Sequence, residues 1–273
     1  MRFTGRTALC STLVACGRVT HLSTRARPRR PDATVKHEPA LVVASIPALS
    51  RRWALHCAAA ARAAQAARGR FALAVPGGSV AEHFLPALVE AEIDWSLVDL
   101  FTCDERCVPP ESDDANFAAI ARLLLAPLDA AAPRMHRMAG EDPDPERAAR
   151  EYAATLRFVM GSPPVLDVAL LGVGEDGHVA SLFPGRPALL AADPPVLVED
   201  AAPKPPPRRL TLSLDVLAGA REVIVAAFGA PKAAAVAEAL QDPASELPLA
   251  LLLHRARRAT VMLDEDAASA LQP

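Results

Sequence analysis

The residues best suited to chemistry lie in four short polar segments. The richest is Gly172-Val173-Gly174-Glu175-Asp176-Gly177-His178, in which a histidine follows an aspartate by two places. An imidazole is a competent general base near neutral pH, and a nearby carboxylate orients its ring and stabilises its charged form. The plainer reading of a loop histidine is a surface group. The second segment, Asp104-Glu105-Arg106, offers two acids and a guanidinium that would orient a base and grip a substrate anion. In isolation such a triplet is also a solvated charge cluster. Asn116, ten residues past Arg106, is placed to order the same loop. The third segment is Pro76-Gly77-Gly78-Ser79. Two glycines between a strand and a helix let the backbone approach a ligand, and helix-start N–H groups then face an anion. A tight turn would use the same glycines, and no Gly-Lys-Ser/Thr follows to make a P-loop. In the fourth, Gly229-Ala230-Pro231 leads into Lys232 at a helix start, where a lysine binds phosphate as a point charge. Lys204, Arg208 and Arg209 are further cations with the same two readings, phosphate ligand or solvated surface.

Something must hold these segments in place. Short apolar runs predict strands at Ala40–Ala44, Phe71–Val75, Leu97–Thr102, Val165–Leu171, Leu210–Leu214, Glu222–Phe228 and Ala259–Leu263. Helical patterns fall at Pro47–Arg68, Val80–Ala91, Asp114–Leu125, Pro143–Met160 and Pro231–Leu240. Cys103–Asp113 reads as a polar loop, and proline-rich 186–207 as an irregular connection. Alternating strands and helices predict an α/β fold, a three-layer αβα sandwich around a mostly parallel, Rossmann-like sheet. Ligands bind outside the carboxyl ends of such strands. The loops after Val75, Thr102 and Leu171 all lie there, so they are expected to converge. Gly172–Gly177 matches G-x-G-x-x-G, but Pro184 and Gly185 end any helix soon after it, which argues against a dinucleotide fingerprint.

Composition narrows the function classes. The chain has 273 residues, 51% hydrophobic and 22% charged, enough for a sizeable core. A net charge of −3 and 4% aromatic residues argue against a nucleic-acid surface. No apolar stretch approaches the length of a membrane span. Five cysteines without a C-x-x-C pair argue against a disulfide framework or a zinc ribbon, and a reducing compartment fits them. Residues 1–36 carry a net +7 and the remainder −10. An Arg-rich, acid-poor head is the composition of an organelle transit peptide. The preferred reading is a basic, unstructured N-terminal extension over 1–37, a single catalytic domain over 38–273, and a cytoplasmic protein. Neither G-x-S-x-G nor H-E-x-x-H is present, which disfavours serine and zinc hydrolases.

Together the segments RGRFALAVPGGSV, FTCDERCVPPESDDANF, LLGVGEDGHVASLFPG, PKPPPRRLTLSL, FGAPKAAAV and MLDEDAA resemble, in order, the 6-phosphogluconolactonase family of the glucosamine-6-phosphate deaminase and isomerase superfamily. The resemblance runs from about Glu38 to Ala268, and the DGHVASLFP stretch is its most specific part. Val80 and Ala115 stand where the family commonly has Thr and Ser, and Met262 or a neighbour where it often has Trp. The resemblance implies hydrolysis of a sugar-phosphate lactone, without metal or redox cofactor, downstream of glucose-6-phosphate dehydrogenase. It assigns catalysis to His178, with Asp104 or Asp176 orienting it. It assigns substrate and phosphate binding to Gly77, Gly78, Ser79, Arg106, Gly174 and Lys232, with Arg208 or Arg209 as a further cation. A deaminase or isomerase of the same superfamily, or a non-catalytic sugar-phosphate sensor, are the alternatives.

Overall fold

A computed structural model describes residues 38–191 and 193–272. The reading of residues 1–37 lies outside the described residues. Among the described residues, ten strands form two sheets. β1 (Ala40–Val43), β2 (Phe71–Val75), β3 (Val98–Thr102), β5 (Arg134–His136), β6 (Val168–Gly172), β9 (Glu222–Ala227) and β10 (Ala259–Leu263) make a seven-stranded sheet in the order β1-β10-β9-β6-β2-β3-β5. Every pairing in it is parallel. β4 (Asp104–Arg106), β7 (Val196–Glu199) and β8 (Arg209–Leu212) make a small antiparallel sheet in the order β4-β8-β7.

The period-2 alternation of strand side chains divides the core into two layers. On β2, Phe71, Leu73 and Val75 join one buried cluster, while Ala72 and Ala74 join the other. The first cluster is closed by α1 (Ile46–Arg68), α2 (Gly78–Val89) and α3 (Asn116–Ile120), the last continuing through a widened turn, Ala121–Leu125, into α4 (Ala126–Leu128). Here Trp53 of α1 stacks on Phe84 of α2 at 6.0 Å between ring centres. The second cluster is closed by α5 (Pro145–Met160), α7 (Leu214–Ala218), α8 (Ala233–Gln241) and α9 (Pro248–Arg255), with the short α6 (Pro187–Leu190) beside it. Helices on both faces explain why the central strands are continuous apolar runs. The expected three-layer αβα architecture is the one observed.

Three local expectations change. Asp104–Arg106 is an edge strand pairing β8, not part of a loop. Within 186–207 the chain forms α6 and β7. Its prolines cluster before Val196 and after Glu199, so the four residues between them remain free to pair. The short β5 and the helix α9 were not expected. The first has only three residues and the second only eight, too short for a periodic pattern to stand out along the chain.

Strand order sets the site. From β2 the chain crosses to β3 on one side, and from β6 to β9 on the other, while β2 and β6 are neighbours. Their carboxyl ends therefore flank the switch point where a crevice opens.

Candidate active site

The crevice at that switch point is lined by Gly77, Gly78, Ser79, Asp104, Arg106, Asn116, His178, Arg209 and Lys232, with Val80 and Phe228 among its apolar walls. The functional groups arrive on several different elements. Pro76 and Gly77 end β2 and open α2, so the first N–H groups of a 12-residue helix face the crevice beside Ser79. A Cβ on Gly77 would overlap the Asn116 amide. Glycine here lets the loop after β2 lie directly against the start of α3.

His178 is presented by the loop after β6. Its Nδ1 lies 2.5 Å from Asp176 Oδ1, and its backbone N–H reaches the same oxygen at 3.3 Å. With Nδ1–H donated to the carboxylate, Nε2 is left as the basic nitrogen. Burial lowers the His178 pKa below its ordinary value, with Asp176 and Asp104 opposing that shift. For Asp176, burial pushes upward, but the charge and hydrogen bonds of His178 outweigh it and leave the carboxyl below its usual range. A side chain on Gly174 would collide with both the His178 ring and the Asp176 carboxylate, so this glycine makes room for the pair. Gly174 contributes its backbone N–H to the His178 carbonyl at 2.9 Å, and does not line the crevice.

Asp104 is buried and makes no hydrogen bond to His178. Its Oδ2 accepts from the Ser181 hydroxyl at 2.7 Å, and its Oδ1 from Asn116 Nδ2 at 3.0 Å. The carboxylate that meets the imidazole is thus Asp176, while Asp104 places a negative charge deeper in the crevice. Ser181 lies one residue after Ala180, whose φ of 49° puts a non-glycine residue in the left-handed region on the crevice wall. Such conformations cluster where function overrides local preference.

Three cations face the same space. Arg106 anchors Nη1 on the Asp114 carbonyl at 2.5 Å, and its buried Nε has no partner among the described residues. Arg209 donates to the carbonyls of Pro206 and Lys204 at 3.0 and 2.9 Å, and its guanidinium lies 5.6 Å over the Phe183 ring. Phe183 also packs against His178 at 4.5 Å between ring centres. Burial and the neighbouring Arg106 charge hold Arg209 below its ordinary pKa. Lys232 is likewise lowered, chiefly by burial, and lies 3.9 Å from Glu175. Its loop is fixed by the Gly229 N–H, which donates to the Asp264 carboxylate at 3.0 Å.

Arg208 is not among them. Its guanidinium pairs with Asp200 at 3.0 Å and lines a separate hollow with Cys107 and Pro207. Neighbouring residues entering an antiparallel strand point to opposite faces, so only one of the two arginines can serve the crevice. Phe183 and Ser181 went unnoticed at the level of sequence, because a Phe and a Ser become informative only once their neighbours are known. Among the described residues, no group of three or more His, Cys, Asp or Glu side chains is arranged to hold a metal ion. No helix among them is long and apolar enough to cross a membrane.

Fold and site define an α/β protein with a cationic crevice and a histidine at a strand-order switch point. Residues 45–262 match the family model described as glucosamine-6-phosphate isomerases/6-phosphogluconolactonase. The 6-phosphogluconolactonase of Mycobacterium tuberculosis is 39% identical over 221 residues, covering 77% of this chain and 88% of its own. The human 6-phosphogluconolactonase is 40% identical over 213 residues, covering 75% and 82%. The solved 6-phosphogluconolactonase of Trypanosoma brucei superimposes with a TM-score of 0.75 at 28% identity, covering 86% of this chain and 99% of its own. The chain belongs to the glucosamine-6-phosphate isomerase/6-phosphogluconolactonase family.

Proposed function

We propose that this chain hydrolyses 6-phospho-D-glucono-1,5-lactone to 6-phosphogluconate. The observation that carries the reading is the Asp176–His178 pair opening onto a crevice with three cations and a helix start. Asp176 holds the tautomer, and His178 Nε2 removes a proton from water as the water oxygen attacks the lactone carbonyl. The carbonyl oxygen becomes an oxyanion, for which N–H groups of the glycine-rich loops are the available donors. On collapse the bond from the carbonyl carbon to the ring oxygen breaks, and the imidazolium returns its proton to that oxygen. Arg106, Arg209, Lys232 and the N–H groups of Gly77, Gly78 and Ser79 bind the phosphate and sugar hydroxyls. Asp104 accepts from a sugar hydroxyl or stabilises the imidazolium from a distance.

Such lactones also open spontaneously, so the acceleration required is modest. A positioned base contributes about 10²–10⁴-fold, and binding adds to it. The reading places the protein in the oxidative pentose phosphate pathway, taking its substrate from glucose-6-phosphate dehydrogenase. The test generates the phospholactone in situ from glucose 6-phosphate and follows its disappearance at neutral pH, with and without a chelator. Hydrolysis well above the spontaneous rate, unchanged by chelator, is expected. A background rate would overturn the proposal. Ammonia release from glucosamine 6-phosphate would then identify a deaminase, and binding of 6-phosphogluconate without turnover a sensor.

A further inference from the structure

Glu105 is 2% exposed, and among the described residues it forms no ion pair. Its carboxylate instead accepts three backbone N–H groups. Oε1 takes those of Arg106 at 2.8 Å and Asn116 at 2.7 Å, and Oε2 takes that of Phe117 at 2.8 Å. One side chain thus ties β4 to the first turn of α3. Those two elements carry three residues of the crevice: Asp104 and Arg106 on β4, and Asn116 at the start of α3. Asn116 in turn donates to both the carbonyl and the carboxylate of Asp104. The residue before α3 is Ala115, which has no side chain able to cap those amides. In this chain the cap comes from across the loop, from Glu105.

We propose that Glu105 is a positioning residue: by holding three amides at the junction of β4 and α3, it fixes Asp104, Arg106 and Asn116 in the geometry the reaction uses. This inference rests on the lactonase reading of the same crevice. A carboxylate buried with no cation bonded to it is an unusual choice for stability alone, since desolvation penalises its charged form. Burial, opposed by the three amides and reinforced by Asp104, raises its pKa to about 7. The charged or titratable groups around it are Asp104 and Arg106 on β4, Cys107 beyond it, Arg137 directly after β5 and Tyr152 on α5. Gly140 packs against its side-chain methylene. A proton on Oε2 would face the Phe117 N–H, donor against donor, and release that amide.

The test compares Glu105→Gln with wild type in two ways. Amide hydrogen exchange reads the junction itself, and the pH profile of kcat/KM reads its consequence. Gln keeps the volume but turns one oxygen into a donor. Faster exchange over residues 115–118 is expected in the variant, with a fall in kcat/KM at pH 8 of about 10–100-fold, as for misplaced reacting groups. In wild type the acid limb should contain two ionisations, one near 7 and one from His178 below it. In Glu105→Gln only the lower one should remain. A Glu105→Gln, Ala115→Ser double variant supplies a hydroxyl for the freed amide, and should recover part of the loss. Unchanged exchange, or unchanged kcat/KM and pH profile in the folded variant, would overturn the inference. Where that variant fails to fold, Glu105→Asp, whose shorter side chain cannot reach the α3 amides from the same backbone position, makes the same comparison, and unchanged exchange and kcat/KM in it overturn the inference. If wild type shows no lactonase activity, the functional reading falls, while exchange at the junction still decides the structural part.

Discussion

The two ends of the central sheet treat buried charge in opposite ways. At the amino ends of the strands, each buried carboxylate meets a cation. Asp167 is held by Arg68 at 2.7 Å and Arg221 at 3.2 Å. Glu222 is held by His56 at 2.9 Å and Arg258 at 3.2 Å, and Asp99 by Arg134 at 2.7 Å and His136 at 2.8 Å. At the carboxyl ends, Asp104 and Glu105 are satisfied by neutral donors: a hydroxyl, an amide and three backbone N–H groups. Arg106 and Arg209 are anchored on carbonyl oxygens. Pairing those cations with resident carboxylates would neutralise them. Holding them on neutral groups keeps their charge for a ligand, at a cost in desolvation that the fold must carry elsewhere. One end is built for stability and the other for binding.

The sharpest way to break this contrast is His178→Ala. Removing the base should lower kcat by about 10²–10⁴-fold, with circular dichroism and Tm close to wild type, because the ring sits on a crevice wall rather than in the core. Full activity in the folded variant would remove His178 from the mechanism. Asp176→Asn comes next, with a loss of up to about 10²-fold, the scale for a catalytic group that is kept but misplaced. Its pH profile carries a sign. Asp176 raises the His178 pKa against the larger lowering effect of burial. With that charge gone, the His178 pKa falls further, so the lower of the two ionisations in the acid limb of kcat/KM should move to lower pH while the one near 7 stays. A limb moving to higher pH would mean that another group sets it.

How much of this was legible in the sequence follows the same division. The strand-end loops announce themselves, because glycines next to acids and a histidine are expensive to place anywhere without purpose. Buried central strands are equally plain, since β2 and β6 are apolar on both faces. Arg208 and Arg209 were not separable, because a one-residue choice of face depends on the register of β8 with β4. The role of Glu105 was hidden as well. Asp104-Glu105-Arg106 reads as one polar loop, whereas pairing with β8 turns the middle residue away from its neighbours and under α3. The ion pairs at the amino ends join residues as far apart as His56 and Glu222, and no local pattern marks them.

The stability end is tested by Asp167→Asn. The carboxylate accepts from the Ala72 N–H at 2.9 Å and from Arg68 at 2.7 Å, and forms an ion pair with Arg221 at 3.2 Å. Both arginines are partly exposed and keep water when the charge is lost, so the cost should be that of weakened buried hydrogen bonds, about 1–3 kcal/mol. Chemical denaturation should show this loss while KM and kcat stay at wild-type values. A changed KM would mean that the two ends are energetically coupled.

The smallest effect is expected from Arg208→Ala, and its value lies in the comparison with Arg209→Ala. Both residues sit where β8 begins, and both carry the same charge. Arg208 spends its guanidinium on an exposed pair with Asp200, which contributes little to stability. Its removal should leave kcat, KM and Tm almost unchanged. Arg209 lines the crevice and stacks over Phe183, which itself supports His178. Its removal should raise KM for the phosphorylated lactone through the lost charge, and lower kcat through the loosened ring. High salt should narrow the KM difference between the two variants, because the Arg209 contribution is partly long-range attraction to a dianion. Equal effects of the two substitutions would show that total positive charge near the crevice, rather than the face chosen by β8, governs binding.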